Sequence, residues 1–310
     1  MNCLVTGGAG FIGSNLVDKL IELGHNVICI DNESAVCHDQ FYWNPKANNY
    51  KYDICDYKKI EHLFNGVDYV FHIASDARIQ PAILNPRESI ESNTVGTANV
   101  LELSRLAKVK KFIYSSTSSS YGNKTVIPNI ETQPSDPLTP YSVAKVFGEN
   151  IAKVYYNIYG LQTISLRYFN VYGDRQPLKG QYAPVIGLFL KQYHEGKPLT
   201  VVGDGSQRRD FTHISDVVEA NIIASQLSHG FGEVYNVGYG SNHSILDIAN
   251  MISNNIKFIP QRIGEVQETL ASNSKFKDLT GWIPEVSLIE WLKKMKDIGK
   301  ATISSELEIK

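Results

Sequence analysis

Two groups of residues in this chain have the types and spacing to do chemistry. The first lies in "TSSSYGNKT…LTPYSVAK": four hydroxyl residues, Thr117 to Ser120, and then Tyr141 and Lys145 four positions apart. On a helix that spacing puts the phenol and the ammonium on one face. A phenol with a reference pKa of about 10 is a poor base at neutral pH. A neighbouring ammonium favours the phenolate and brings it into range for taking a proton from an alcohol. Tyr and Lys at this spacing also occur by chance in many helices, and serines often merely solvate loops. Placement separates these readings: the hydroxyl run ends an apolar, strand-like stretch, and Tyr141 opens a helix. At the carboxyl end of a strand, Thr117 would bond the substrate oxygen that loses its proton.

The second group is "NCLVTGGAGFIGSNLVDKL", with Gly7, Gly8, Gly10 and Gly13 between a strand-like run and a helical one. It satisfies G-x-G-x-x-G through Gly8, Gly10 and Gly13, and G-x-x-G-x-x-G through Gly7, Gly10 and Gly13. A pyrophosphate reaches the amides of a helix N-terminus only where no Cβ intervenes, and the last glycine lets helix and strand pack closely. Glycines alone also mark ordinary turns. Here Asp31 ends the next strand about twenty residues on, where a carboxylate accepts hydrogen bonds from an adenosine ribose and repels a 2′-phosphate. The alternative for Asp31 is a surface acid at a strand end. With Asn32 next to it and no arginine close by, Asp31 points to NAD rather than NADP. The positive nicotinamide of NAD⁺ would further favour a Tyr141 phenolate.

These groups need a scaffold, and the alternation of patterns supplies it. Apolar runs rich in Val, Ile and Tyr fall at 2–6, 26–31, 67–74, 110–116 and 162–169. Between them, "FIGSNLVDKLIELG", "TVGTANVLELSRLAKV" and "PYSVAKVFGENIAKVYYNIYG" repeat apolar residues at three and four, as on a helix buried along one face. Thr139 and Pro140 read as the N-cap and first residue of the last of these. Strand, helix, strand at this rhythm means βαβ units. The fold class expected is α/β: a Rossmann-type doubly wound parallel sheet with a smaller mixed α/β C-terminal lobe. Residues 1–170 are expected to form the dinucleotide-binding domain and 171–310 a discontinuous second lobe. Within 210–240, the strand-like "EVYNVG" (233–238) is expected to return to the first sheet. The tail "ATISSELEIK" is expected to be mobile.

The totals exclude several classes. A chain of 310 residues with 43% apolar and 20% charged residues has the make-up of an ordinary globular protein. A net charge of −2 without a basic stripe gives no reason to expect nucleic acid or an anionic membrane. No apolar run reaches membrane-spanning length, and the N-terminus enters a strand directly without signal-peptide regions. We therefore expect a cytoplasmic protein. Cys3, Cys29, Cys37 and Cys55 form no C-x-x-C pair and have no histidine at zinc-finger spacing, so buried reduced thiols and no metal are expected.

Together the glycine loop, Asp31, Thr117 and Tyr141-x-x-x-Lys145 resemble the extended short-chain dehydrogenase/reductase family. Within it, the resemblance is to NAD-dependent nucleotide-sugar epimerases and dehydratases, above all the UDP-glucose and UDP-N-acetylglucosamine 4-epimerases. It covers nearly the whole chain and is carried further by "YDI" (Tyr52–Ile54), "FHIAS" (Phe71–Ser75) and "SNTVGT" with Asn93. "RYFNVYG" (Arg167–Gly173), "GDGSQRRDFTHISDV" (Gly203–Val217) and "RIGEV" (Arg262–Val266) carry it through the second half. The resemblance implies NAD as cofactor, held at Gly7, Gly10, Phe11, Ile12, Gly13, Asp31, Asn32, Asp53, Ile54, Ile73, Ala74, Ser75, Asn93, Ser115, Tyr141, Lys145 and Tyr168. It makes Tyr141 the base, Lys145 its pKa-lowering partner and a ribose ligand, and Thr117 the hydroxyl on the sugar O4. Substrate contacts are implied at Thr117, Ser118, Asn170, Gln181, Tyr182, Val202, Arg209, Arg262, Glu265 and Thr269. Arg209 and Arg262 would hold the diphosphate, since guanidinium forks match phosphate oxygens. Taken singly, either arginine reads equally well as half of a surface ion pair, and Arg208 reads as solvent-facing.

Similar dehydratases carry Thr-Asp-Glu at the hydroxyl run and similar nucleotide-uronate decarboxylases carry Thr-Ser-Glu. Here Thr117-Ser118-Ser119 has neither carboxylate, which implies the simplest outcome, 4-epimerisation; many epimerases have serine where this chain has Thr117. The position seven after Arg262 is Thr269, smaller than the tyrosine that excludes an N-acetyl group in the family. UDP-N-acetylglucosamine therefore joins UDP-glucose as an implied substrate. Arg78, in "SDARIQPAI", would signal a C6 carboxylate and a uronate substrate if it faced the sugar, and reads otherwise as a surface arginine at a helix start. A UDP-uronate 4-epimerase, a nucleotide-sugar dehydratase or decarboxylase, or a non-catalytic NAD-sensing protein on the same fold, are the competing readings. The family expectation for assembly is a homodimer.

Overall fold

Short Val- and Ile-rich runs can be apolar on both faces only if both faces are covered. The computed structural model describes residues 1–35, 37–38, 40–77, 79–123, 126–178 and 183–296, and in it those runs form the middle of a seven-stranded parallel sheet. The strands are β1 (Asn2–Thr6), β2 (Asn26–Ile30), β3 (Asn48–Tyr50), β4 (Tyr69–His72), β5 (Lys111–Thr117) and β6 (Gln162–Tyr168). Beyond them come β7 (Val171–Tyr172), β8 (Leu199–Val202), β9 (Arg208–Asp210), β10 (Thr212–His213) and then β11 (Glu233–Val237). The sheet order is β11-β6-β5-β4-β1-β2-β3. The segment expected to return to the first sheet does so: β11 pairs in parallel with β6, Glu233 opposite Ile164.

Alternate residues of one strand serve two cores, as the period of two requires. Cys3 and Val5 of β1 join a cluster with Leu16, Val17 and Val217. Leu4, between them, joins Val70, Phe112 and Val100 on the other side. The covering helices of the first half are α1 (Phe11–Glu22), α2 (Tyr57–Ile60), α3 (Ile79–Leu84), α4 (Pro86–Glu91), α5 (Thr97–Leu106) and α6 (Pro140–Tyr159). A π-helical turn, Ser92–Gly96, joins α4 to α5. In the second half follow α7 (Val185–His194), α8 (Ile214–Gln226), α9 (Ile245–Ile252) and α10 (Ser274–Thr280).

The smaller lobe has its own core, in which Phe189 and Leu190 of α7 meet Leu199 and Val201 of β8 and Ile248 of α9. Strand β12 (Asn242–Ser244) runs antiparallel to β9, and β13 (Ile256–Ile259) parallel to β8. No helix among the described residues is long and apolar enough to cross a membrane. The cysteines divide where burial of all four was expected. Cys3 and Cys29 are buried strand residues, whereas Cys37 and Cys55 lie in loops that cover them only half. The tail, 301–310, lies outside the described residues.

Candidate active site

The carboxyl ends of β1, β2, β4 and β5 open onto one cleft, and the strand order reverses beside β1. Open α/β sheets bind ligands at such a switch point. Gly7 has φ +68°, and a Cβ there would meet the Ala74 nitrogen at 2.7 Å. A Cβ at Gly13 would collide with the Gly7 carbonyl oxygen. These two glycines are demanded by the protein's own packing. Gly10 differs, because a Cβ there would meet nothing nearer than 3.5 Å. It lies in the cleft wall at the N-cap of α1, where no side chain caps the helix. Free amides and open space are what a diphosphate needs, so the residues present fit a dinucleotide.

Asp31 closes the other side of this loop. Its Oδ2 accepts from the Ala9 amide (3.1 Å) and its Oδ1 from the Glu33 amide (2.8 Å), leaving lone pairs for ribose hydroxyls. Burial pushes its pKa up, and those amides oppose the shift. Asn32 lines the cleft, held by Asp53, whose carboxylate accepts from it at 2.9 Å. Asp53 thus acts on the cleft through Asn32, while Ile54 lines it directly. Phe11, Ile12, Ile73, Ala74 and Ser75 complete the walls. Asn93, in the π-helical turn, accepts from the Ser75 hydroxyl at 2.7 Å and donates to the Asp76 carbonyl, fixing the segment after β4. Beneath the cleft, the fully buried His72 links Thr6 (2.7 Å) and Thr97 (2.9 Å). Burial, and then Lys145, drive its pKa down to about 3, so it is neutral.

At the chemical end, β5 delivers Thr117 and α6 delivers Tyr141 to the same cleft. Thr139 caps α6 as expected: its hydroxyl accepts from the Ser142 amide, and the Ser142 hydroxyl accepts from the Thr139 amide, with Pro140 as first helical residue. Lys145 is buried one turn beyond Tyr141, its Nζ 4.4 Å from the Tyr114 ring centroid. Its pKa is pulled down to about 7 by burial, and Glu149 opposes the shift. Thr117 Oγ1 accepts from the Ser119 amide at 3.1 Å, which fixes its rotamer. Ser115 and Tyr168 hold one another at 3.0 Å, and the Tyr168 hydroxyl also donates to Asn221. Tyr168 lines the cleft with its ring, and Ser115 supports it from β5.

A second cleft adjoins the first and shares Ser118, Ser119 and Asn170 with it. Val202, Arg209, Arg262, Glu265 and Thr269 line it. Asn170 has φ +32° and donates to the Asp210 carbonyl (2.7 Å) and to Thr269 Oγ1 (3.2 Å). Arg209 is half-buried, its Nη1 on the Arg208 carbonyl at 2.9 Å. Burial lowers its pKa and Glu265 opposes that shift. Arg208 lines neither cleft and donates to Asn242 at 2.8 Å. Arg78, Gln181 and Tyr182 lie outside the described residues.

Some residues of this site gave no recognisable sign in the sequence. His38 and Phe41 stack at 5.5 Å and line the first cleft from a long polar loop without a motif. Asp210 is buried and accepts from the amides of Tyr239, Gly240 and Ala271, tying three segments behind Asn170. Its pKa rises to about 6 through burial, against those three amides. An acid followed by Phe211 in "RRDF" was the one available hint.

Residues 3–238 match the model of the family described as Epimerase: NAD dependent epimerase/dehydratase family. The crystal structure of UDP-glucose 4-epimerase with UDP-glucose from Thermotoga maritima is similar to this chain, at 36% identity and a TM-score of 0.91. The match covers 98% of this chain and 100% of that one. UDP-N-acetylglucosamine 4-epimerase from Methanobrevibacter ruminantium M1, in complex with UDP-N-acetylmuramic acid, matches at 30% identity and TM-score 0.88, covering 98% of each chain. The UDP-glucuronate 4-epimerase of Thermodesulfobacterium geofontis is 34% identical, over 99% of this chain and 98% of its own.

Proposed function

This chain belongs to the NAD-dependent epimerase/dehydratase family, and from that premise we propose that it is a 4-epimerase of a UDP-hexose or UDP-N-acetylhexosamine. The observation that carries the reading is the pair of adjoining clefts. Thr117 and Tyr141 line the one that fits a dinucleotide, and Arg209 and Arg262 line the one beside it. A sugar joined to a diphosphate spans that arrangement, with its phosphates on the guanidinium groups.

NAD, when bound, supplies the oxidation at the sugar C4 and the later re-reduction. Thr117 bonds the sugar O4. Tyr141 takes the hydroxyl proton and returns it, and Lys145 stabilises the phenolate in between. Neither Ser118 nor Ser119 offers the carboxylate that removal of water requires. The ketone sugar is left to turn and present its other face, while the diphosphate stays anchored.

Thr269 supports acceptance of a C2 N-acetyl group, being small and already bonded to Asn170. Among the described residues, the arginines lining the two clefts are Arg209 and Arg262. Both are taken by the diphosphate in this reading. The test is proton NMR of the protein with UDP-glucose, UDP-N-acetylglucosamine and UDP-glucuronate in turn. A new sugar set with the C4 coupling inverted and the carbon count unchanged is expected for one of the first two. A 4-keto-6-deoxy sugar or a pentose would overturn the reaction assignment, and response to the uronate alone would overturn the substrate assignment. Thr269→Tyr is expected to lose the N-acetylated substrate selectively.

The homodimer expected from the family belongs to this reading. Val143, Phe147, Val154 and Ile158 form an exposed apolar stripe along α6, with Ile90 of α4 exposed as well. Light scattering should give a dimer, and Phe147→Lys with Ile158→Lys should give a monomer.

A further inference from the structure

Behind Tyr141 lies a buried charged pair that the chemistry above does not use. Helix α6 carries Tyr141, Lys145 and Glu149 at successive four-residue steps, which sets them along one face. All three are buried. Glu149 accepts from Arg167 of β6 through both oxygens, Nε to Oε1 at 2.8 Å and Nη2 to Oε2 at 2.7 Å. The Ser116 hydroxyl of β5 donates to the same carboxylate. Ser116 precedes Thr117 and itself lines the cofactor cleft. The carboxylate is thus fixed from two strands, one helical turn beyond Lys145.

A buried ion pair is a weak device for stability, because desolvation offsets the attraction. Its position suits another task. We propose that Glu149, locked by Arg167 and Ser116, is a positioning residue that holds Lys145 in its ammonium form beside Tyr141. The inference rests on the reading of Tyr141 and Lys145 as the proton-handling pair. A buried lysine otherwise drifts toward the neutral amine, which cannot stabilise a phenolate. Two features of the packing oppose that drift. The ammonium lies over the Tyr114 ring, whose face is negative. Gly148 makes room for that ring, since a Cβ there would collide with the Tyr114 hydroxyl. The second feature is Glu149, whose charge acts on Lys145 against the effect of its burial.

Among the described residues, few other titratable groups surround Lys145. They are the neutral His72 of β4, Tyr114 of β5 and Tyr141 of its own helix, with Arg167 of β6 on the far partner of the pair. The π-helical turn and α5 carry Asn93 and Thr97, which do not titrate and bond to Ser89 and His72.

The experiment reads the charge of Lys145 directly and needs no substrate. In NAD-bound protein labelled with ¹³Cε-lysine, the Lys145 signal is identified by its loss in Lys145→Met and followed against pH. Glu149→Gln should lower its midpoint by about one pH unit or more, while Glu149→Asp, which keeps the carboxylate, should restore most of it. Because Glu149→Gln strands Arg167 in the interior, Glu149→Gln/Arg167→Met is measured too; it removes both charges and should show the same direction of shift. An unchanged midpoint in the folded double variant overturns the proposal, leaving the pair a purely structural tie. A shifted midpoint in a protein that turns over no nucleotide sugar would uphold the charge clamp and sink the epimerase reading instead.

Discussion

At the scale of single residues, the proposed reaction turns on two oxygens, those of Tyr141 and Thr117. Tyr141→Phe removes one from a buried ring without changing its shape, and turnover should fall by about 10²–10⁴-fold. NAD should stay bound, because the glycine loop and Asp31 are untouched; absorbance of the bound cofactor and a product assay check both halves. Thr117→Val keeps the volume and deletes the hydroxyl, so kcat should fall by about 10- to 100-fold, less than for Tyr141. Their arrival at one cleft was legible in the sequence from placement, the hydroxyl run ending a strand and Tyr141 opening a helix, rather than from their spacing alone. Asp210 and Glu149 were not, since a buried acid is recognised by its partners, and Arg167 and the amides of Tyr239, Gly240 and Ala271 are distant in the chain. Ser115 and Asp53 show a related limit. Their loop and strand positions were readable, but their side chains reach the cleft through Tyr168 and Asn32.

Elements place those residues, and their ends matter more than their middles. Helix α6 begins one residue before Tyr141, so its cap sets the phenol's position. Thr139→Ala removes the hydroxyl that accepts from the Ser142 amide and should cost about 1 kcal/mol of stability, read by urea unfolding. It should also lower kcat, because the first turn frays where Tyr141 sits. The caps, the glycine loop and the apolar strands were readable locally, from a hydroxyl before a proline or from alternation across a strand. Strand β3 was not read: "NNY" is polar because it is an edge strand with one neighbour, and edges are kept polar. The π-helical turn also left no sign, as one extra residue in a helical pattern does not change its composition.

For the whole molecule, His72 links the first sheet's interior to acidity. Its folded pKa, about 3, lies below the ordinary value, so the unfolded chain binds a proton more readily over the interval between them. The stability that neutral His72 contributes is present above about pH 6.5 and is lost as pH falls toward 3. At pH 5 the loss should be about 2 kcal/mol, and urea midpoints of His72→Gln should be less sensitive to acid over that range. The division into lobes was less readable than either lobe's elements, because β11 crosses back after the second lobe has begun. That crossing has a consequence for how the protein is made. When β6 leaves the ribosome, its outer edge has no partner until β11 follows, a wait of several seconds at about 5–20 residues per second. During that wait the nascent sheet exposes an open, apolar edge to other chains. A chain stopped near residue 170 would carry that edge permanently and should accumulate in inclusion bodies, whereas one ending after Val237 should yield markedly more soluble material.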